Sequence, residues 1–508
     1  MEKVPRKIRL RYAGLINFIA NIISIFTGLI FVILVSRKLP EEQFGLWHYL
    51  GVIVQYYVIP ATLINYWIIR YAGRGFKVAR TGISLNLLLM IISETIFLIS
   101  APMLIYAVPT NVNLNLIIIA LALQLLSGYY LGTLIALAGG VAPQAIGYGL
   151  LIQEITKIII GYYLVRILQL NLFGAIMSYT ISRYLYALFL TIYLKEEFSE
   201  KINKNLAIKW IKLSWLPAYS FIPGYLRNLD VVLITFTYSS LPVAHMKAIQ
   251  TIATTIAYSE RLHAPLYAKL LSGGSSKDIE IALSYFLLFA IPMMAGISAM
   301  SKTYLSLLKK SYTISADALI IATIYTLTFS LMLLFMRVLM GIEKIEIKEK
   351  ISIKEYLKSN LFYTPTIRII NYTLYLVTLY ITLKIIMPLK IETTTIVLIW
   401  ITIKTIFISI ILIIFYYKCK KLMRFKIPKI KIAKYILASI IMAAILVISK
   451  IGQKVTTSFM EALKFSIIGT AIGAATYLII LLIIEPEVKE LIKTTLIEIK
   501  TILKIKRK

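Results

Sequence analysis

Cysteine is almost missing: Cys419 is the single one in 508 residues. A disulfide within the chain is therefore impossible, and cysteine-based metal clusters have no ligands. Histidine is nearly as scarce, with His48, His245 and His263. That leaves a metal enzyme few nitrogen donors, so neither a metal nor another cofactor is expected. Charge is also thin, at 15% of residues, against about 25% in soluble domains. A soluble chain of this length would form roughly three domains, and these charges could not cover their surface. There is no G-x-x-x-x-G-K-[ST] segment, so ATP hydrolysis is not expected. No loop between apolar runs exceeds about 20 residues, which leaves no room for a soluble catalytic domain.

What is abundant is apolar. Hydrophobic residues make up 59% of the chain, and the mean hydropathy is +0.83. This excludes a disordered chain and predicts an all-α polytopic membrane protein. Lys and Arg number 55 against 23 Asp and Glu. In a soluble protein that excess would suggest nucleic acid. Here it reads as loop charge facing an anionic leaflet, with no nucleic-acid partner. The basic start MEKVPRKIRLRYAG is followed by a full-length apolar run without an A-x-A site. We read that run as a first membrane helix and not as a removable signal.

A membrane helix needs about 20 apolar residues. That rule predicts fourteen spans, at residues 14–35, 45–65, 82–107, 114–138, 146–165, 170–194, 213–238, 241–259, 281–300, 316–340, 361–388, 392–417, 433–449 and 463–484. Pro60 interrupts the second, and Pro217 and Pro223 interrupt the seventh. With the N-terminus inside, cytoplasmic segments hold close to four basic residues for every one in the outer loops. The alternation predicts both termini in the cytoplasm of a multi-pass cell-membrane protein. After Pro486, Val488, Leu491, Ile492, Leu496, Ile499 and Leu503 recur at helical spacing among lysines, which predicts a basic amphipathic helix on the inner leaflet.

Charges inside spans are costly and face a cavity or a partner. The basic ones are Lys157, Arg183, Arg227, Lys247, Arg337, Arg368, Lys404 and Lys464; the acidic ones are Glu94, Glu154, Asp230 and Glu260. Glu154 with Lys157, and Arg227 with Asp230, stand at i,i+3 and can neutralise each other. Longer polar stripes follow helical spacing: Asn17, Asn21, Ser24 and Gly28; Tyr179, Arg183 and Tyr186; Lys247, Gln250, Thr254 and Tyr258; Arg368, Asn371 and Tyr375. Such stripes can join helices. Three of them carry cations, which predicts a hydrated basic cavity for an anionic substrate. Arginine suits phosphate because its planar fork makes two parallel bonds. Gly128 and Gly132 form a G-x-x-x-G that predicts close helix packing.

Three stretches carry a resemblance: FGLWHYLGVIVQYYVIPATLINYWIIRYAGRG (44–75), APLYAKLLSGGSSKDIEIALSYFLLFAIPMMAGI (264–297) and GIEKIEIKEKISIKEYLKSNLFYTPTIRIINYTLY (341–375). Together they resemble archaeal members of the polysaccharide-transporter family, which includes Wzx-type oligosaccharide flippases. That family belongs to the multidrug/oligosaccharidyl-lipid/polysaccharide exporter superfamily. The resemblance covers most of residues 10–420 and rests on loop phrasing and span order.

The resemblance implies two six-helix lobes, here residues 1–200 and 201–430, in a parallel-type repeat. Residues 431–485 would add two further spans, and 486–508 the basic tail. It also implies alternating access that moves a polyprenyl-(di)phosphate-linked oligosaccharide from the inner to the outer leaflet. The sugar-phosphate head would occupy the cavity while the polyprenyl tail stays among membrane lipids. Burial logic assigns head-group contacts to Arg183, Arg227, Lys247 and Arg368. Asn17, Asn21, Asn371 and Tyr375 would meet sugars or water. Asp230, Glu94 and Glu154 are candidates for coupling to H+ or Na+. A monomer is expected, and no covalent chemistry is required. The competing reading is a polytopic glycosyltransferase or polysaccharide polymerase using the same carrier lipid, with Glu41 or Glu42 as its outer-loop acid. A multidrug exporter of the same superfamily would call for an acidic cavity instead.

Overall fold

In hydrocarbon every backbone N–H and C=O must be satisfied within the segment, so apolar runs of spanning length become helices. The computed structural model describes residues 10–106, 112–263, 265–271, 274–343, 353–389 and 391–486. The predicted amphipathic tail, the basic residues of the N-terminal arm before Leu10, and the lysines at 344–350 lie outside the described residues. Among the described residues the structure is helical, with no strand.

In chain order the helices are α1 (Leu10–Lys38), α2 (Glu41–Tyr57), α3 (Ile59–Gly73), α4 (Ala79–Tyr106), α5 (Leu114–Val141), α6 (Pro143–Gly161), α7 (Asn171–Tyr193), α8 (Lys204–Lys212), α9 (Trp215–Leu226), α10 (Leu229–Thr237) and α11 (Ser240–Ala253). They continue as α12 (Pro265–Leu271), α13 (Ser276–Ala299), α14 (Ser301–Leu308), α15 (Ala316–Gly341), α16 (Ile353–Lys358), α17 (Asn360–Ile386), α18 (Thr393–Met423), α19 (Lys429–Ile448) and α20 (Phe459–Ile484). Ten described segments are long and apolar enough to cross a membrane, or eleven with α2 and α3 taken as one bent span. The chain is a multi-pass, all-α membrane protein. Each predicted span coincides with a helix or a helix pair. Those outside the eleven are α6, with Glu154 and Lys157 at its centre; α9–α10, broken at Arg227–Asn228; and the 14-residue α11.

The chain divides into two compact units. The first comprises Met1–Lys247 with Leu379–Thr393, and the second Ala248–Thr378 with Thr394–Lys508. Within the first, α1 lies along α6, α6 packs on α7, and α5 sits among α3, α4 and α7. Trp210 is fully buried there and meets the Tyr71 ring edge-on at 5.5 Å. Within the second, α13 packs against α15 and α19, and α19 against α20.

Glycine sets one close approach. A Cβ at Gly149 on α6 would overlap the Tyr186 ring of α7. That ring is fixed because its hydroxyl donates to the Ile146 carbonyl at 2.9 Å. Gly149→Ala is therefore expected to destabilise the α6–α7 pair by about 1–3 kcal/mol, the usual cost of overpacking. Thermal unfolding in detergent would show this as a lower midpoint.

Candidate functional site

The site begins at a helix break. Pro60 has no N–H to donate, and the Ala61 N–H turns to Val58 O at 3.1 Å. The chain bends by 57° between α2 and α3. A break in hydrocarbon is tolerated when neighbours satisfy the freed carbonyls. Here the Tyr129 hydroxyl of α5 donates to Tyr57 O at 2.9 Å and bonds the Ser93 hydroxyl of α4 at 2.6 Å. On α9, the Tyr225 carbonyl accepts the Tyr56 hydroxyl at 2.9 Å. The bend is thus held from three helices.

A cavity of about 540 Å³ opens against this break, within the first unit. Trp47, His48 and Gln55 of α2, Thr62 of α3, Gln124 of α5, Tyr179 and Arg183 of α7, Tyr225 of α9 and Lys247 of α11 contribute polar or aromatic groups to its wall. Among the described residues no carboxylate lines it. Two predicted head-group cations, Arg183 and Lys247, thus share one wall. The guanidinium carbon of Arg183 stands 5.5 Å from the Tyr179 ring centroid. Its Nε is buried without a hydrogen-bond partner. Buried donors are rarely left unmade because each costs about 1–3 kcal/mol. One left open in a cavity wall is suited to an acceptor that arrives.

The G-x-x-x-G of α5 belongs to this site. A Cβ at Gly128 would stand 3.0 Å from Val58 Cγ2 at the break and 3.7 Å from Arg183 Nη2, and one at Gly132 would stand 3.1 Å from Asn65 Nδ2 of α3. The glycines let α5 approach the bend closely, with the guanidinium beside them. Their spacing in the sequence signals packing alone, and periodicity does not single out Trp47, Gln55, Thr62, Gln124 or Tyr225. The two glutamines, uncharged but polar inside apolar runs, were the available signal.

Other predicted residues are placed elsewhere. Arg227 is the C-cap of α9 and is not among the cavity-wall residues. Asp230 is fully buried in the first turn of α10, where its carboxylate accepts the Val231 N–H at 2.8 Å. Asn17 Nδ2 donates to Pro143 O at 3.0 Å and Asn21 Nδ2 to Asn17 O at 2.7 Å. Their amide groups serve α1 and its seam with α6. The Lys157 ammonium lies 2.7 Å from both Glu154 oxygens, and the Thr27 hydroxyl donates to Glu154 at 2.6 Å. Glu94 on α4 differs from both other acids, since its Oε2 is buried with no hydrogen-bond partner.

In the second unit, Arg368 and Asn371 share α17 with Tyr375. Arg368 Cζ lies 5.9 Å from the Tyr372 centroid, and its Nε is buried without a hydrogen-bond partner. Asn371 Nδ2 donates to Phe407 O at 3.0 Å. Tyr375 is buried and accepts the Trp400 indole N–H at 3.0 Å. Lys404 sits 5.8 and 6.0 Å from the Tyr325 and Tyr375 rings. Beside Phe286 of α13, Arg337 Nη1 donates to His263 Nδ1 at 2.7 Å, and the Ser330 hydroxyl donates to Glu260 at 2.6 Å. Burial, reinforced by the Arg337 charge, pushes the His263 imidazole down to about 3, so it stays neutral. Glu41, the acid of the enzymatic reading, is engaged with His245, its Oε2 3.1 Å from Nε2. No group of three or more His, Cys, Asp or Glu placed to hold a metal occurs among the described residues.

Neither a family model nor a curated protein matches the sequence. Solved structures do match by shape. The lipid II flippase MurJ in an inward closed conformation superposes with a TM-score of 0.59 at 17% identity, over 94% of this chain and 99% of that one. An inward-facing multidrug resistance transporter of the MATE family, in the MOP superfamily, gives 0.57 at 14% identity, over 79% of this chain and 94% of that one. At such identities the likeness is one of architecture: the chain has the fold shared by MurJ and the MATE transporters.

Proposed function

We propose that this protein is a flippase that carries an anionic, lipid-linked oligosaccharide across the membrane by alternating access. The observation that carries the reading is the cavity holding Arg183 and Lys247, to which the described residues bring no carboxylate, with the Arg183 Nε unsatisfied. A phosphate or diphosphate with its sugars cannot enter hydrocarbon unaided. Fixed cations and hydroxyls take the place of water around it. Arg183 and Lys247 hold the phosphate, Trp47 and Tyr179 offer faces to sugars, and the carrier tail remains in lipid. Arg227 and Arg368 are the further cations we assign to the path. The fold shared with a lipid II flippase supports this reading, and the sign of the cavity opposes export of organic cations.

The two six-helix halves, residues 1–200 and 201–430, are proposed as the moving parts, with both termini cytoplasmic. For coupling to H+ or Na+ we favour Glu94, whose open carboxylate oxygen can take a cation. Glu154 is satisfied by Lys157 and Thr27, and Asp230 by the Val231 N–H.

The test is flipping in proteoliposomes. A labelled polyprenyl-diphosphate oligosaccharide is placed in one leaflet, and its loss is followed with and without an ion gradient. Protein-dependent loss is expected, faster under the gradient. Movement that ignores the gradient would remove Glu94 as a coupling group. No movement of either a mono- or a diphosphate-linked glycan would overturn the reading and favour the glycosyltransferase alternative.

A further inference from the structure

A separate cleft of about 500 Å³ lies in the first unit, where the α3–α4 turn meets the segment joining α7 to α8. Its walls include Lys77, Lys201 and Lys204, with Thr81, Asn203 and one acid, Glu200. The segment is pinned in place. Lys77 Nζ donates to the Ser199 hydroxyl at 2.8 Å, the Asn203 N–H donates to Thr81 Oγ1 at 2.9 Å, and Asn203 Oδ1 caps α8 through the Leu206 N–H at 3.0 Å. Lys201 and Lys204 are left exposed at the rim.

The neighbourhood is two-sided. On α8, Leu206 and Trp210 turn into the core. Ile208 and Ile211, with Ile202 before the helix and Trp215 after it, are each more than half exposed, and Lys209 and Lys212 stand among them. A nine-residue helix cannot cross a bilayer. It sits where α3 and α7 end and α4 begins, at the level where spanning segments leave the hydrocarbon. Lysines for phosphate beside exposed isoleucines and a tryptophan are the two halves of an interfacial lipid contact. A site for a soluble anion needs no apolar flank.

We propose that this cleft binds the phosphate headgroup of an anionic membrane phospholipid, with the acyl chains against Ile202, Ile208, Ile211 and Trp215. Three ammonium groups against one carboxylate leave a net positive cradle. The bound lipid holds the α7–α9 connection at the bilayer surface. This inference does not depend on what the cavity at the α2–α3 break carries.

The test uses the full chain in phosphatidylcholine nanodiscs doped with a fluorescent phosphatidylglycerol, with retained lipid counted by native mass spectrometry. The K77Q/K201Q/K204Q variant is expected to hold the probe roughly a hundredfold more weakly, at about fivefold for each surface lysine near an anionic headgroup. R183A, in the other cavity, should leave retention unchanged. Lys201→Gln alone, which touches no hydrogen bond of the pinned segment, should give a smaller loss and keep the unfolding midpoint. Equal retention by the triple variant would overturn the proposal. So would loss of the probe in R183A, which would place the lipid in the cavity at the α2–α3 break. Full displacement by millimolar inorganic phosphate would assign the cleft to a soluble anion instead.

Discussion

Arg183→Ala is expected to abolish flipping while leaving the protein inserted and as stable as the parent, or slightly more so. The two halves of that expectation share one cause. The Arg183 Nε is buried with no partner, so the folded state carries an unmade hydrogen bond that alanine relieves. The same donor, beside the Tyr179 ring and in a wall to which the described residues bring no carboxylate, is what a phosphate would accept from. Charge-assisted bonds are worth about 1.5–3 kcal/mol each, so losing a bidentate pair would lower substrate affinity by roughly two to four orders of magnitude. Arg183→Lys should recover only part, because a lysine is a point charge and not a planar fork. Stability held at function's expense is the usual mark of a binding residue. Flipping rate and unfolding midpoint, measured on the same preparations, decide the matter. Undiminished flipping would remove Arg183 from the substrate path.

Glu154→Ala should have the largest effect on stability. Glu154 and Lys157 are both almost fully buried, with side-chain exposures of 6% and 8%. Their contact is complete: the ammonium reaches both carboxylate oxygens, and Thr27 supplies a further donor. Truncating the acid strands a cation in low dielectric, at a cost of about 3–5 kcal/mol. Removing both charges should cost far less, because a buried ion pair roughly breaks even against apolar residues of similar volume. The double variant Glu154→Met with Lys157→Met should therefore regain most of the lost stability, and chemical denaturation in detergent would measure the cycle. If the single variant unfolds like the parent, the pair is not the closed unit described here. Retained gradient dependence in the double variant would also exclude Glu154 as the coupling acid.

Much of this protein is legible along the chain. Apolar run length marks the helices long enough to span, because a lone segment satisfies its own backbone in hydrocarbon only as a helix; α6, α9–α10 and α11 fall short of that mark. Pro60 marks the break in the second span, because a missing N–H cannot be recovered locally. The Glu154–Lys157 pair is visible because three residues bring two side chains onto one helix face. What the chain does not announce is the destination of a polar stripe. Asn17, Asn21, Arg183 and Lys247 look alike in sequence, as polar groups at helical spacing inside apolar runs. The first pair is used within α1 and at its seam with α6, where the Pro143 carbonyl, 126 residues away, faces Asn17. The second pair opens on a cavity that α2, α5 and α9 complete. Helical periodicity determines which residues share a face. Only tertiary packing decides whether that face meets another helix or an open volume, because spacing along one helix carries no information about what stands opposite it.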